Sequence, residues 1–170
     1  MRRELRKRDL EARFTEELND AAAKERFDSA LATDWVPVGD MDRFMRTAAP
    51  LLYPGKVGAL RLLGRDVAQD HLPTVYKILI RVASVQFVIE QAARIFKTYN
   101  STGDAHTEKR PGVKNSVDLV ITDYPEMNGP LRESGAGFII GTLELVGAKD
   151  VRVIIDDANP RRWVFHVTWR

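Results

Sequence analysis

The fold is decided by a change of hydrophobic period within residues 131–155, which read LRESGAGFIIGTLELVGAKDVRVII. Apolar side chains dominate from Phe138 to Val146 and continue a helical pattern, and Gly147 follows at the position where glycine commonly ends a helix. From residue 151 every second side chain is apolar, which is the period of a strand with one buried face. This stretch therefore predicts a helix followed directly by a strand.

Three further segments have the period of two. Residues 163–169 alternate apolar and polar side chains, and Asp-Ala-Asn-Pro at 157–160 predicts a hairpin loop before them. Residues 116–123 place alternate apolar side chains on one face, and residues 105–110 predict a short edge strand. With the helix at 131–146, these segments predict a sheet in the order strand, strand, helix, strand, strand.

The first half of the chain has the spacing of helices. Residues 5–27 show a ragged helical pattern with many charges, and Asp40 is expected to cap a helix that reaches Leu52. Apolar residues three and four apart predict another helix over 57–69. The segment 70–73 is expected to interrupt it, because proline is disfavoured inside helices.

The next helices are predicted on either side of Ser84. Residues 75–82 form a further helical face, and Ser84 is expected to cap the most regular helix of the chain, residues 84–99. Helices followed by these strands predict an α+β fold with an antiparallel sheet of about four strands. We expect residues 1–34 to form a helical N-terminal extension and residues 35–170 a single α+β domain.

Composition limits the classes of protein that this chain can represent. Its 170 residues include no cysteine, no apolar run long enough to span a bilayer, and an opening segment unlike a secretory signal. We therefore expect a cytoplasmic protein without a membrane span. The net charge is +2, and residues 1–10 contribute 5 − 2 = +3, so the remainder sums to −1. Nucleic-acid binding is not expected, because residues 11–170 have a net charge close to zero.

Metal and catalytic motifs are not found in the sequence. His71, His106 and His166 are far apart and lack the spacing of metal ligands, so no metal site is expected. Asp156 and Asp157 with His166 are the one group of catalytic residue types close together, which leaves an enzyme as the weakest interpretation. Both aspartates enter a hairpin loop, where aspartate is common for structural reasons.

Gly135, Gly137 and Gly141 resemble a dinucleotide-binding loop at first sight. That motif requires a preceding strand, which residues 124–134 do not provide. Close packing of this helix against a neighbour is the simpler explanation for the glycines.

Apolar residues are in excess in two predicted helices. Residues 84–99 carry three aromatic side chains, and residues 138–146 are apolar on nearly every side. Together they exceed what one face of a sheet needs for cover. This excess predicts either an internal apolar pocket or a buried dimer face.

Four segments carry a resemblance to a known family: Leu51–Gly55, Leu62–Arg65, Ala92–Tyr99 and Leu143–Val153. Over residues 35–170 the chain resembles an uncharacterised bacterial family, best represented among myxobacteria. That family is placed in the superfamily of heme nitric-oxide/oxygen-binding sensors, the four-vinyl-reductase domain and TRAPP subunits of Golgi transport. The resemblance implies a compact α+β module that binds a small molecule or another subunit.

The chain departs from the heme sensors of that superfamily. Their iron is held by a histidine on the helix that corresponds to 84–99, near Phe96, and this helix contains no histidine. Their Tyr-x-Ser-x-Arg motif for the propionates corresponds to residues 124–128, where the tyrosine alone remains. The cysteines common in the four-vinyl-reductase branch are also missing. The resemblance therefore implies a module without heme, and no cofactor is expected.

Our leading hypothesis is a non-enzymatic, sensory or regulatory module that binds an apolar small molecule. The ligand would lie between helix 84–99, helix 131–146 and the sheet, near Phe87, Phe96, Tyr99 and Phe138. A homodimer is expected. The alternative is a structural adaptor whose apolar helices form a protein–protein interface, as the TRAPP-like branch implies.

Overall fold

The computed structural model describes residues 1–31, 34–75, 84–124 and 126–170. Its first five helices are α1 (Arg2–Lys7), α2 (Glu11–Glu17), α3 (Ala21–Ser29), α4 (Val38–Leu52) and α5 (Ala59–Val75). Two short helices precede the sheet, α6 (Val85–Glu90) and α7 (Ala92–Tyr99). The remaining elements are β1 (Asp104–Lys109), β2 (Ser116–Thr122), α8 (Gly129–Leu145), β3 (Arg152–Asn159) and β4 (Arg162–Thr168).

The four strands form one antiparallel sheet in the order β1-β2-β4-β3. Residues of like character face each other across β2 and β4, as in the pairs Leu119 with Phe165 and Val117 with Val167. The apolar face of the sheet is thereby turned toward the helices. The predicted fold class, helices followed by strand, strand, helix, strand, strand, is confirmed.

The first four helices and α5 enclose a hydrophobic cluster that we call the helical core. Its largest side chains are the rings of Phe14, Phe27 and Phe44, whose centroids lie 4.5 to 6.3 Å apart. Leu5 from α1 and Leu63 from α5 are almost completely buried in the same cluster. Residues 1–30 thus share one core with the following helices, and the division at residue 34 stays a prediction.

A second cluster, the sheet core, lies between the sheet, α8 and the helices α6 and α7. It contains Phe165 and Val167 of β4, Val117 of β2 and Leu143 of α8, all buried. Phe96 joins it from α7.

Helix α8 lies against α5 at a distance that only glycine permits. A Cβ atom at Gly137 would overlap the backbone carbonyl of Arg61, and one at Gly64 would overlap the carbonyl of Ser134. Arg65 of α5 donates to Glu144 of α8 at 2.6 Å and adds an ion pair beside this contact. The interpretation of the glycines as close-packing residues agrees with this geometry.

Two predicted helix boundaries are wrong. Helix α5 continues through Pro73 to Val75, because a proline in the last turn removes a single hydrogen bond while Leu72 beside it is buried. Asp40 does not cap α4, which begins at Val38; its carboxylate pairs with the guanidinium of Arg26 in α3.

The helix predicted over 84–99 is present in two parts. Ser84 caps it as expected, because its hydroxyl oxygen accepts from the amide of Phe87 at 3.1 Å. Gln91 then separates α6 from α7. The helical face expected at 75–82 lies almost entirely outside the described residues. Within those residues, no helix has both the length and the apolar composition to cross a bilayer.

Candidate functional site

A cavity of about 720 Å³ lies between the helical core and the sheet core. Among the described residues, nine of the thirteen buried members of the sheet core line it, whereas Leu63 is the one buried member of the helical core that does. The cavity is therefore mainly an opening in the sheet core, closed on its far side by the helical core.

Four walls of apolar side chains surround this cavity. The sheet contributes Val117, Leu119, Ile121, Phe165 and Val167. Helices α6 and α7 contribute Val88, Ile89, Ala92, Ile95, Phe96 and Tyr99. Helix α8 contributes Leu131, Ser134, Gly135, Phe138, Ile139 and Leu143. The helical layer contributes Val36, Val38, Met41, Met45, Val67 and His71.

The structure brings together three of the four residues proposed from the sequence. Phe96, Tyr99 and Phe138 line the cavity, with the rings of Tyr99 and Phe138 in edge contact at 5.3 Å between centroids. Phe87 is not among the residues that line it, and 36% of Phe87 is exposed. Val88 and Ile89 are the residues of α6 that face the cavity, and Phe87 points away from it.

Most polar groups on the wall already have partners. The hydroxyl of Tyr124 donates to the side-chain oxygen of Asn100 at 3.1 Å, and Asn100 donates to the carbonyl of Phe96 at 2.9 Å. Burial raises the pKa of Tyr124. Thr142 donates to the carbonyl of Phe138 at 2.7 Å. These groups are satisfied within the protein and do not require a ligand.

Of the lining polar side chains that are not exposed, two have no hydrogen bond within the described part of the chain, the imidazole of His71 and the hydroxyl of Ser134. Burial lowers the pKa of His71, and the charge of the adjacent Asp70 opposes that effect in part. The imidazole is therefore neutral near pH 7, with one N–H donor and one acceptor nitrogen. Sequence reasoning missed His71, although Leu63, Val67 and His71 follow one another at the helical spacing of four.

Charge is scarce on the wall. Among the described residues that line the cavity, Asp34 is the one carboxylate, the α-ammonium of Met1 is the one cation, and no lysine or arginine is present. The described residues also contain no group of three or more His, Asp or Glu placed to hold a metal ion. The site is therefore suited to an apolar molecule of low charge.

The residues weighed for catalysis do not form a common site. His166 pairs with Asp118 of β2 at 2.8 Å, and Asp157 pairs with Arg132 of α8 at 3.0 Å. The carboxylate of Asp156 accepts from the amide of Ala158 within β3, where the pairing with β4 is irregular between Asp156 and Asn159 and the predicted hairpin loop at 157–160 is therefore mostly strand. Asp118 was not considered from the sequence, because it reaches His166 through the pairing of β2 with β4.

Solved H-NOX structures, of the heme nitric-oxide/oxygen-binding class, share this fold. An H-NOX protein from S. oneidensis in the Fe(II) state aligns with a TM-score of 0.67 at 9% identity, over 94% of this chain and 84% of that chain. An oxygen-binding H-NOX domain related to soluble guanylate cyclases aligns with a TM-score of 0.59 at 8% identity, over 93% and 83%. A variant of the T. tengcongensis H-NOX domain gives 0.58 at 9% identity, over 94% of each chain.

No protein-family model and no curated protein sequence matches the chain. At about 9% identity the structural likeness establishes a common fold and nothing finer. The resemblance to heme-sensor proteins is thus confirmed for the fold, whereas membership of the myxobacterial family stays a prediction.

Proposed function

We propose that this chain is a non-enzymatic, sensory or regulatory module that binds an apolar small molecule between α5, α7, α8 and the sheet. One observation carries the proposal: a cavity of about 720 Å³ with an almost wholly apolar wall lies where the two cores meet. Small-molecule sites typically measure about 300 to 1,000 Å³ and combine apolar walls with a few polar groups. Phe96, Tyr99 and Phe138 would contact the ligand directly.

The proposed module works without heme. The solved neighbours are described with Fe(II) and with heme, which needs an axial ligand and partners for its two propionates. Helices α6 and α7 present Val88, Ala92 and Phe96 to the cavity and contain no histidine. No lysine or arginine lines the cavity within the described residues. His71 supplies an imidazole from α5, but the Met1 ammonium is the one cation beside it on the described wall and is already opposed by three carboxylates, so this donor set does not fit a heme with two propionates.

The direction of the apolar side chains favours ligand binding over the adaptor hypothesis. An adaptor needs its apolar excess on the outside, as a patch of several hundred Å². The apolar residues of α6, α7 and α8 instead line the cavity. Of the large exposed apolar side chains, Val57 lies between α4 and α5, Val113 lies between β1 and β2, and Ile154 lies on β3. A homodimer and a cytoplasmic location stay predictions from the sequence.

Binding of the uncharged fluorophore N-phenyl-1-naphthylamine tests the proposal. We expect its fluorescence to rise on titration with the protein, and Ala92→Phe to weaken binding by at least about tenfold because the new ring fills the cavity. The matched control is Ala12→Phe on an exposed position of α2. Equal binding by both variants would exclude the cavity as the site.

A parallel titration with hemin tests the absence of heme. We expect the spectrum of unligated hemin to persist in the presence of the protein. A sharp Soret band that the Ala92→Phe variant lacks would show that the cavity takes heme, and would contradict this part of the proposal.

A further inference from the structure

The polar groups on the cavity wall distinguish one class of ligand from the others, if the cavity is a ligand site as proposed above. Most donors and acceptors there are paired within the protein, as described for Tyr124, Asn100 and Thr142. Among the described lining side chains that are not exposed, His71 and Ser134 are the two exceptions. A bound molecule is the natural partner for one or both of them.

His71 needs a partner more than Ser134 does. A serine inside a helix is able to bond to the carbonyl four residues earlier by rotating its hydroxyl. An imidazole has no such local partner, and a partly buried donor without a hydrogen bond is unfavourable. The two groups are also well separated: Ser134 lies beside Gly64, and Gly64 and His71 are about 10 Å apart along α5.

The charges near His71 select against an ionised ligand. Asp70 is the adjacent residue, and its side chain is 22% exposed. The described lining residues include no lysine or arginine, and the charge of the one ammonium on the wall, that of Met1, is already opposed by the carboxylates of Asp70, Glu4 and Asp66. A neutral imidazole offers one donor and one acceptor, which match a hydroxyl group or, through the donor, a carbonyl oxygen.

We propose that the ligand has an apolar body and one uncharged oxygen head, a hydroxyl or a carbonyl, which hydrogen-bonds to the imidazole of His71. The apolar body extends along α5 toward Gly64 and lies between Phe138 and the sheet. His71 is then the specificity-determining residue of the site, and fatty carboxylates are poor ligands.

Displacement of bound N-phenyl-1-naphthylamine by decan-1-ol and by decanoate tests this assignment. We expect the wild-type protein to bind decan-1-ol at least about tenfold more tightly than decanoate at neutral pH, because a buried carboxylate would lie beside Asp70 and the Met1 ammonium is already opposed by three carboxylates. His71→Leu should weaken decan-1-ol binding about fivefold, the effect of about one hydrogen bond, and His71→Gln should restore most of it. His106→Leu on the exposed surface of β1 is the matched control and should leave decan-1-ol binding unchanged, and Ser134→Ala should have a smaller effect than His71→Leu.

A spectroscopic readout separates contact from an indirect structural effect. The ring-nitrogen chemical shifts of His71 should change when decan-1-ol binds, and those of His106 on β1 should not. Tighter binding of decanoate, unchanged binding in His71→Leu, or a loss confined to Ser134→Ala would each overturn the assignment. Any of these results with the fluorophore still bound in the cavity would leave the proposed function standing, whereas failure of the fluorophore to bind there would remove both.

Discussion

The helical core and the sheet core contain similar side chains but use them differently. In the helical core the rings of Phe14, Phe27 and Phe44 contact one another and fill the space between four helices. In the sheet core the pairs of Phe96 with Tyr124 and Tyr99 with Phe138, at 5.9 and 5.3 Å between centroids, lie on the wall of a cavity. Aromatic content alone therefore does not tell a filled core from one that holds a ligand.

The close contact between α5 and α8 explains how the protein can hold a cavity in the sheet core and remain folded. Gly64 and Gly137 let the backbones of α5 and α8 meet directly, and ion pairs from Arg61 and Arg65 flank the contact. The layers are thus held together at one edge by backbone packing. The cavity lies beside this contact, where the side chains of α5 and α8 do not have to pack against each other.

Truncation of a phenylalanine in each core should give the largest difference. Phe44→Ala should lower the free energy of unfolding by about 3 to 5 kcal/mol, because the ring is 3% exposed and packed on all sides. Phe138→Ala should cost less than about 2 kcal/mol, because one side of that ring faces the cavity and has few atoms in contact. Urea unfolding of both variants measures the difference, and equal losses would mean that the sheet core is as filled as the helical core.

Substitution of two glycines in α8 should give the next effect. Gly137→Ala should lower the free energy of unfolding by about 3 kcal/mol, since the new methyl group overlaps the carbonyl of Arg61. Gly135→Ala is the control two residues away: its Cβ would lie 3.8 Å from the ring of Phe165, an ordinary contact. Helix propensity should then raise stability by about 0.5 to 1 kcal/mol. Similar changes in the free energy of unfolding for both variants would contradict the assignment of Gly137 to the close contact between α8 and α5.

The smallest expected effect is a pH dependence in the open core. Because burial lowers the folded-state pKa of His71 below its ordinary value of 6.5, His71 contributes stability above that value. This contribution is lost as the pH falls through the folded-state pKa. Between about pH 7.5 and pH 5 the wild type should therefore lose more stability than His71→Gln does. The difference should be small, because His71 is partly exposed to solvent.

His106→Gln is the control for this comparison, because His106 is exposed on β1 beside Glu108. If the pH dependence of the free energy of unfolding changes as much in His106→Gln as in His71→Gln, burial of His71 is not the cause of that pH dependence.

The sequence predicted the elements well because their signals are local. The alternation of β2 and β4, the serine cap of α6 and the positive φ of Gly147 after α8 each depend on a few adjacent residues. The end of α5 was predicted wrongly, because tertiary packing stabilises the helix beyond Pro73. The break at Gln91 was not predicted, because a single residue divides the helix at 84–99.

The site was predicted only in part, since its position depends on how layers pack. Phe96, Tyr99 and Phe138 could be named because they are aromatic residues on apolar helices. Phe87 was chosen for its aromatic ring. Its position on α6, one residue before the buried Val88, turns the ring toward solvent. The volume of the cavity follows from the separation of α5, α8 and the sheet, which no local pattern in the sequence contains.

The central claim is that one core is filled and the other is open, and the same substitution in each tests it most directly. We would measure the free energy of unfolding of Ala48→Leu, in the helical core, and of Ala92→Leu, on the cavity wall. Ala48→Leu should destabilise the protein by about 1 to 3 kcal/mol through overpacking, whereas Ala92→Leu should leave stability unchanged or raise it by up to about 2 kcal/mol. A loss of stability in Ala92→Leu equal to that in Ala48→Leu would mean that the space is already filled, and would contradict the account.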